Sequence, residues 1–362
     1  YYTAEQLSDY NVMTNRDPVS RFYYPGAYGL TERTNAAYVQ FNMDGTNWSA
    51  NLGLRYVKTK EDITNYVNTS ANDPDADTSS AFGPFKTVQT KHTYNDILPT
   101  ANVRFELNED MDLRLAATRT LARADYSALA GSVSLQPPAV EGGVGSGSGG
   151  NPDLEPILST NFDVSWEWYF ADRALLSASL FYMDIDNYVA LGQEERSIFT
   201  IDAQNPQGRF VDYLLTVPVN SSAKVKGFEL AWQQPIGDHW GIMANYSYAD
   251  GDTKDGRPML GTSKNTYNIG GYFESEHFTA RLAYNFRSSF YSGLDRASAF
   301  FQDDVQSVDA SVGYIINDHF TISLDGRNLS NESIEYYAES KERPRSVYVN
   351  GRQYYLNLRF NY

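Results

Sequence analysis

Large apolar and polar residues alternate along many segments of this chain, and this period of two is the feature that most limits its possible folds. In one segment, a single face carries Phe162, Val164, Trp166, Trp168 and Phe170. The opposite face carries Asn161, Asp163, Ser165, Glu167 and Tyr169. Side chains of an extended strand point alternately to the two sides of a sheet, so the pattern predicts half-buried β-strands rather than helices.

The predicted strands form hairpins with short turns at one end and long polar connections at the other. The thirteen predicted strands are 35–44, 48–63, 88–107, 111–123, 158–170, 174–190, 213–236, 239–250, 262–274, 277–290, 304–316, 319–338 and 346–362. The long connections are 68–86, 124–157 and 192–212, and the Gly- and Ser-rich part 142–150 is expected to be a mobile loop. This asymmetry between the two ends is typical of an outer-membrane β-barrel.

The odd number of predicted strands indicates either a missed strand or an incomplete barrel, because bacterial single-chain barrels have even numbers. The chain opens on Tyr1 with neither Met nor an apolar signal segment. We therefore expect residues 1–362 to be part of one larger barrel domain, with 1–34 as an extracellular loop.

A soluble, lectin-like β-sandwich is the main alternative for alternating strands, and three details favour the membrane. Large apolar residues follow the short turns, as interfacial girdles require: Trp48, Met111, Trp240, Phe278 and Phe320. The opposite face carries mid-strand charges such as Arg114 and Arg281, which a dry core would not tolerate. The last residues alternate to an aromatic end at Phe360 and Tyr362.

The composition excludes several other classes of protein. The chain has no cysteine, so neither disulfides nor thiolate metal sites are possible. Its net charge of −16 argues against a nucleic-acid partner, since phosphates need a basic surface.

Several segments, in order along the chain, resemble the TonB-dependent receptors. They are 32–40 (ERTNAAYVQ), 51–56 (NLGLRY), 98–102 (LPTAN), 119–126 (RTLARADY), 150–156 (GNPDLEP), 328–332 (NLSNE) and 351–355 (GRQYY). Ala124 departs from the family pattern, in which Pro follows the arginine.

The resemblance implies a transmembrane antiparallel barrel of 22 strands whose lumen holds a plug domain, of which this all-β chain would supply about 13 C-terminal strands without the plug. It also implies a place in the outer membrane of a Gram-negative bacterium, in contact with lipid and lipopolysaccharide. The implied protein partners are the TonB–ExbB–ExbD energy system, reached through the plug, and the barrel-assembly machinery, which would recognise the terminal strand at Phe360 and Tyr362.

Neither a metal site nor a catalytic site is predicted, and no cofactor is expected. Three of the four histidines, His239, His277 and His319, follow acidic turn residues at equivalent rim positions, so they should not converge on zinc. The aspartates at 73, 75 and 77, and at 250, 252 and 255, could hold calcium but lack the EF-hand pattern. No nucleophile elbow is present, so we expect a protein that is not an enzyme.

Aromatic residues expected at the outer loops are the candidate substrate-binding residues, because flat rings stack on sugars or on aromatic siderophores. The candidates are Tyr126, Tyr188, Tyr291, Tyr336 and Tyr337. The resemblance favours active import of an oligosaccharide, with a ferric siderophore or another metal chelate as the alternative. A passive porin of 14 strands, an adhesin and a structural surface barrel also remain open.

Overall fold

A computed structural model of the protein describes residues 3, 5–6, 20–140, 142–200, 208–254, 256, 258–295 and 298–360. In these residues the chain is almost entirely β-structure. No helix among them is long and apolar enough to cross a lipid bilayer.

Twenty strands occur in the part of the chain that the structure describes. They are β1 Tyr28–Asp44, β2 Trp48–Asn68, β3 Thr78–Ser80, β4 Gly83–Asn108, β5 Met111–Ala122, β6 Val133–Gln136, β7 Gly145–Gly149, β8 Ile157–Ala171, β9 Ala174–Thr200, β10 Arg209–Ile236, β11 Trp240–Thr253, β12 Asn265–Glu274, β13 Phe278–Arg287, β14 Phe290–Asp295, β15 Ser298–Gln302, β16 Val305–Ile315, β17 Phe320–Arg327, β18 Ile334–Ala338, β19 Pro344–Tyr348 and β20 Gln353–Phe360. A helical turn at Tyr126–Leu129 and a 3-10 turn at Tyr24–Gly26 also occur.

Thirteen strands follow one another in a continuous antiparallel sheet, which confirms the predicted number. Their order is β1-β2-β4-β5-β8-β9-β10-β11-β12-β13-β16-β17-β20. Each pairs with the next strand along this path, so the sheet is a meander. Within the described residues, β1 pairs only with β2 and β20 only with β17, which leaves these two strands at the edges.

Several predicted boundaries were wrong at the long-loop end. β1 begins at Tyr28, so the end of segment 1–34 is strand rather than loop. The predicted connection 192–212 is largely strand, because β9 and β10 continue through it. Segments 319–338 and 346–362 each contain two separate strands, and 277–290 ends in the main sheet at Arg287.

The main sheet has two chemically different faces, as the alternation predicted. On one face, which we call the lipid face, apolar residues of neighbouring strands lie opposite one another. Phe278 lies opposite Tyr314, Tyr314 opposite Ile322, and Ile322 opposite Leu358. Many residues of this face are exposed: Leu52, Leu54, Ile97, Phe162, Leu180, Leu230, Ile269, Leu282, Val312, Leu324 and Leu356. Exposed apolar residues on so many adjacent strands form the outward band of a transmembrane barrel.

The opposite face, here called the inner face, carries ion pairs between neighbouring strands near the short turns. Arg104 donates to both carboxylate oxygens of Asp112, at 3.1 and 2.9 Å. Arg114 donates in the same two-point manner to Glu167, at 3.0 and 3.2 Å. Such pairs satisfy charges on a face that does not contact hydrocarbon.

The glycine-rich segment is an ordered strand, contrary to the predicted mobile loop. β7 pairs antiparallel with β6 and parallel with β10, beyond the point where β11 ends. The inner-face residues of β10 beside it, such as Tyr213 and Leu215, are fully buried. Glycine is required because a Cβ at Gly145 would lie 2.5 Å from the Tyr213 ring. The connection 124–157 therefore folds inward as a structured unit.

A second, smaller sheet of four strands lies at the same end, in the order β14-β15-β18-β19. Aromatic side chains that pair across its strands stabilise this sheet. Phe300 stacks on Tyr336 with ring centroids 5.3 Å apart, and Phe301 stacks on Tyr337 at 5.5 Å. This sheet extends the loops that follow β13 and β17.

Candidate ligand-binding site

A largely apolar cavity of about 360 Å³ lies at the long-loop end, between segments far apart in the sequence. Its larger lining residues are Tyr188, Leu191, Pro218, Pro258, Leu260 and Tyr291. None of the described lining residues is charged. The volume falls in the range of ordinary small-molecule sites, about 300–1,000 Å³.

Tyr188 reaches this cavity because β9 is irregular just before it. Asn187 has a φ of 56°, a left-handed value that asparagine tolerates, and the β9–β10 register shifts between Ser221 and Ala223. The Tyr188 ring then packs on the buried cluster around Ile185. Its hydroxyl accepts a hydrogen bond from the backbone N–H of Leu260 at 3.0 Å, which ties a loop residue to the cavity wall.

Tyr291 enters the cavity from β14, and only 8% of its surface is exposed. Its ring meets Phe301 edge to face at 5.6 Å. The backbone N–H of Gly261 donates to the Tyr291 carbonyl at 2.8 Å, and Arg287 donates to the Gly261 carbonyl at 2.6 Å. These bonds position the 258–261 loop as one wall of the cavity.

The opposite wall depends on the segment 151–156, whose side chains join three parts of the chain. Asn151 donates to the carbonyl of Pro218 at 3.1 Å, and Leu154 is buried against Ile63 and Leu129. Asn220 accepts from the N–H of Glu155 at 2.8 Å and donates to its carbonyl at 3.1 Å. This joint holds Ser127 and Ala128 of the helical turn beside the cavity.

The other predicted substrate residues do not line the cavity. Tyr126 begins the helical turn and is 54% exposed, with its neighbours Ser127 and Ala128 in the wall instead. Tyr336 and Tyr337 pack within the small sheet, although Tyr337 shares its partner Phe301 with Tyr291. The structure thus brings two of the five predicted tyrosines together.

Phe360 lies apart from the cavity, as its predicted role in assembly requires. It is exposed on the edge strand β20, and its ring contacts Phe320 at 4.7 Å on the lipid face. Tyr362 lies outside the described residues.

Sequence reasoning missed the apolar residues that complete the cavity, namely Leu191, Pro218, Pro258 and Leu260. The run Pro258-Met259-Leu260 was the available signal, because it is an apolar patch within an otherwise polar connection. Met259 is 8% exposed and belongs to the buried cluster under Tyr188.

A charged cluster lies elsewhere on the inner face, on β1, β2, β4 and the residue that follows β5. Arg123 donates to the hydroxyls of Thr34 and Thr59 at 3.1 Å each, and Tyr94 donates to the Glu61 carboxylate at 2.9 Å. One carboxylate oxygen of Glu61 is buried without a hydrogen-bond partner. The described residues contain no group of three or more His, Asp or Glu side chains arranged to hold a metal ion.

The three rim histidines and the aspartates of the loop after β2 make local contacts, whereas Asp255 of the other aspartate group lies outside the described residues. His239 contacts the Glu274 carbonyl and Phe273, His277 lies against Tyr314, and His319 lies against Phe360. In the loop after β2, a hydrogen bond from the Thr69 hydroxyl holds the pKa of Asp73 below its ordinary value, and bonding to the N–H of Asp75 adds to this.

Comparison with known proteins places these features in a family. The model of the family described as TonB dependent receptor-like, beta-barrel, matches residues 1–329. The chain belongs to this family. The expected fold class and location are confirmed: the protein is an antiparallel β-barrel of the Gram-negative outer membrane.

The individual relatives have low sequence identity to this chain. The probable TonB-dependent siderophore receptor PiuA of Acinetobacter baumannii is 24% identical over 97% of the chain and 44% of its own length. The ferric-catecholate import receptor Fiu of E. coli K12 has a TM-score of 0.62 at 18% identity, covering 92% of this chain and 45% of Fiu. The ferric yersiniabactin uptake receptor FyuA of Yersinia pestis has a TM-score of 0.63 at 15% identity, covering 92% and 46%. The chain spans less than half the length of each.

Proposed function

We propose that the full protein imports a ferric siderophore or a related metal chelate across the outer membrane. The observation that carries this proposal is the apolar cavity between Tyr188 and Tyr291 at the long-loop end, where ligands arrive from outside. The siderophore receptors among its relatives support it. The oligosaccharide favoured by the sequence has less support, because the cavity wall offers few hydrogen-bonding groups to sugar hydroxyls.

The proposed mechanism is receptor-mediated active transport rather than catalysis. The long-loop end captures the chelate, and a plug in the lumen yields when TonB, ExbB and ExbD deliver energy from the inner membrane. The ion pairs on the inner face provide a polar wall along this route. Lipopolysaccharide would surround the lipid face on the outer leaflet.

We also propose that the terminal strand is recognised by the barrel-assembly machinery. The support is the exposed apolar row of β20, in which Leu356, Leu358 and Phe360 share the lipid face. Deleting residues 354–362 from the full-length protein should abolish its appearance in the outer membrane, as measured by surface labelling. Normal surface levels after the deletion would argue against this role.

Uptake of radiolabelled iron tests the transport proposal. In a strain from which the other iron receptors have been deleted, loss of this gene should abolish accumulation of ⁵⁵Fe from ferric siderophores. The full-length gene should restore uptake only when TonB is present. Normal ⁵⁵Fe uptake in the deletion strain, together with loss of growth on an oligosaccharide, would instead favour sugar import.

A further inference from the structure

We propose that the outward face of β1 and β2 binds lipopolysaccharide through the phosphate groups of its lipid A. The proposal goes beyond the imported ligand, because it depends only on how the barrel lies in the outer membrane. The site consists of Arg33, Lys58 and Lys60, which we call the outward basic patch. These three residues continue the lipid face of β1 and β2 past Tyr56, toward the long-loop end.

The position of the patch along β2 places it at the level of the lipid headgroups. Trp48 and Tyr56 bound the apolar residues of β2 on the lipid face, and they are eight residues apart. Eight residues of a strand tilted by about 40° rise by about 20 Å, which is most of an apolar band about 25 Å tall. Lys58 and Lys60 follow Tyr56 on the same face, so they stand just above the acyl chains of the outer leaflet.

The strand register brings like charges together in this patch. Arg33 lies directly opposite Lys60, and Lys58 is on the same face two residues away. Like charges directly opposite each other destabilise a strand pair. Among the described residues, these three side chains have no ion-pair partner, and their acidic neighbour on this face, Asp62, pairs with Lys91 at 3.5 Å. The patch is therefore positive in a chain of net charge −16, and a bound anion would relieve its repulsion.

The same level of β9, β10 and β11 has the opposite arrangement of charges. Lys224 lies opposite Asp184, with 3.7 Å between the charged groups, and Lys226 lies opposite Asp250. These lysines also lie just beyond an aromatic residue of the lipid face, Phe228. The protein itself supplies their counter-charges. Unpaired positive charge is thus a feature of the patch on β1 and β2 and not of the outward face in general.

Lipid A matches both parts of this surface. Its acyl chains fit the exposed apolar side chains below the patch, such as Val39, Leu54 and Ile97. Its phosphate groups lie directly above those chains, where ammonium and guanidinium groups donate charge-assisted hydrogen bonds. The Tyr56 hydroxyl donates to the Asn95 side chain at 2.7 Å and forms the border between the two parts. A free phosphate ion would use only the upper part, so the geometry favours the glycolipid.

The test titrates the purified, delipidated full-length receptor with bisphosphoryl lipid A, with dephosphorylated lipid A and with inorganic phosphate. Native mass spectrometry measures the bound fraction. We expect the bisphosphoryl lipid to bind at least about tenfold more tightly than the dephosphorylated lipid, since each cation near an anionic lipid contributes about fivefold. The double variant Lys58→Gln/Lys60→Gln should weaken this binding about tenfold or more. The matched variant Lys224→Gln/Lys226→Gln, at the same level of the same face, should change it by no more than about threefold.

Thermal unfolding separates a loss of binding from a loss of folding. In detergent without lipid A, Lys58→Gln/Lys60→Gln should unfold at the same temperature as the wild type or above it, because the repulsion at Arg33 is removed. Bisphosphoryl lipid A should raise the unfolding temperature of the wild type more than that of the variant, because only a bound ligand stabilises the fold. If the double variant does not fold, Arg33→Gln alone serves for both measurements.

Three results would overturn the proposal. One is equal affinity of the wild type and the patch variant for bisphosphoryl lipid A. Another is an equal loss in the matched variant, which would indicate an effect of overall charge. The third is displacement of the lipid by an equal concentration of inorganic phosphate, which would assign the patch to a free anion.

Discussion

At the short-turn end, neighbouring strands of the main sheet are joined by two to four residues, and the exposed side chains of the lipid face there are apolar or aromatic. At the long-loop end, the same strands run on into extensions, an inward-folded hairpin and a second sheet. The largest fully buried side chains of the described chain all lie at this second end: Tyr213, Phe85, Ile63, Leu129, Leu215, Val217 and Thr59.

The difference follows from the solvent around each end. In the bilayer, lipid surrounds the apolar face and the hydrogen-bonded ladder satisfies the backbone, so no separate core is needed. Outside the bilayer, water surrounds the strands, and long loops remain ordered only by burying apolar residues against one another. The cavity between Tyr188 and Tyr291 is at the end that has such a core.

The largest effect should come from placing a charge on the lipid face. Leu282→Arg should lower the free energy of unfolding by about 2–4 kcal/mol if the residue lies near the bilayer midplane, because an arginine would face hydrocarbon. Ala283→Arg is the matched control on the inner face, where Asp309 lies directly across the strand pair. Denaturant unfolding of the full-length protein in lipid vesicles measures both. Equal losses at the two positions would contradict the assignment of the faces.

A smaller and more local effect is expected from a side chain in the glycine strand. A Cβ at Gly147 would lie 2.4 Å from the Ser134 backbone oxygen, which cannot move away without breaking the β6–β7 pair. Gly147→Val should therefore destabilise this hairpin by about 2–3 kcal/mol.

Hydrogen exchange should show faster opening of the β10 amides near Tyr213, with the transmembrane part unchanged. Ser148→Val, an exposed neighbour on the other face of β7, is the control. Slow exchange at β10 in the Gly147 variant would mean that β7 does not protect it.

The same comparison explains what the sequence could predict. Strand number and face assignment were readable in the membrane part, since each side chain there meets either lipid or the lumen and the alternation is local. The ordered state of β7 was not readable, because its glycines fit under Tyr213 and Leu215, which lie more than 60 residues away in the sequence. The sequence also could not show that Tyr188 and Tyr291, of the five candidate tyrosines, would line the same cavity. Aromatic composition marks the loops, whereas the contacts between loops decide which rings share a cavity.

Removing the amide of Asn220 should weaken the joint that holds the inward-folded segment. Its side chain makes two hydrogen bonds with the backbone of Glu155 and one with the Asn187 carbonyl at 2.9 Å. Asn220→Ala should reduce the local stability by about 1–2 kcal/mol. This is less than the summed energy of three hydrogen bonds, because water forms hydrogen bonds with the groups that lose their partner. Faster proteolysis of segment 124–156 is the expected readout, with Ser221→Ala as the control. An unchanged rate would show that the other contacts of the segment, such as the packing of Leu154 and the Asn151–Pro218 hydrogen bond, are sufficient to fix it.

The smallest effect concerns pH and the loop after β2. Asp73 accepts hydrogen bonds from the Thr69 hydroxyl and the Asp75 N–H, and Lys86 lies 3.8 Å away, so its pKa is lowered in the folded loop. A carboxyl with a depressed folded pKa stabilises the fold fully above its ordinary value near ~4, and this contribution disappears as the pH falls through the lowered value. Amide hydrogen exchange of residues 70–77, corrected for the intrinsic effect of pH on exchange, should therefore become faster as the pH drops below about 4, while the transmembrane strands stay protected. Asp73→Asn should abolish this pH dependence and Asp75→Asn should preserve it. If exchange accelerates equally in the Asp73 variant, another group controls the loop, and the ordered structure at this end does not depend on the Asp73 carboxylate.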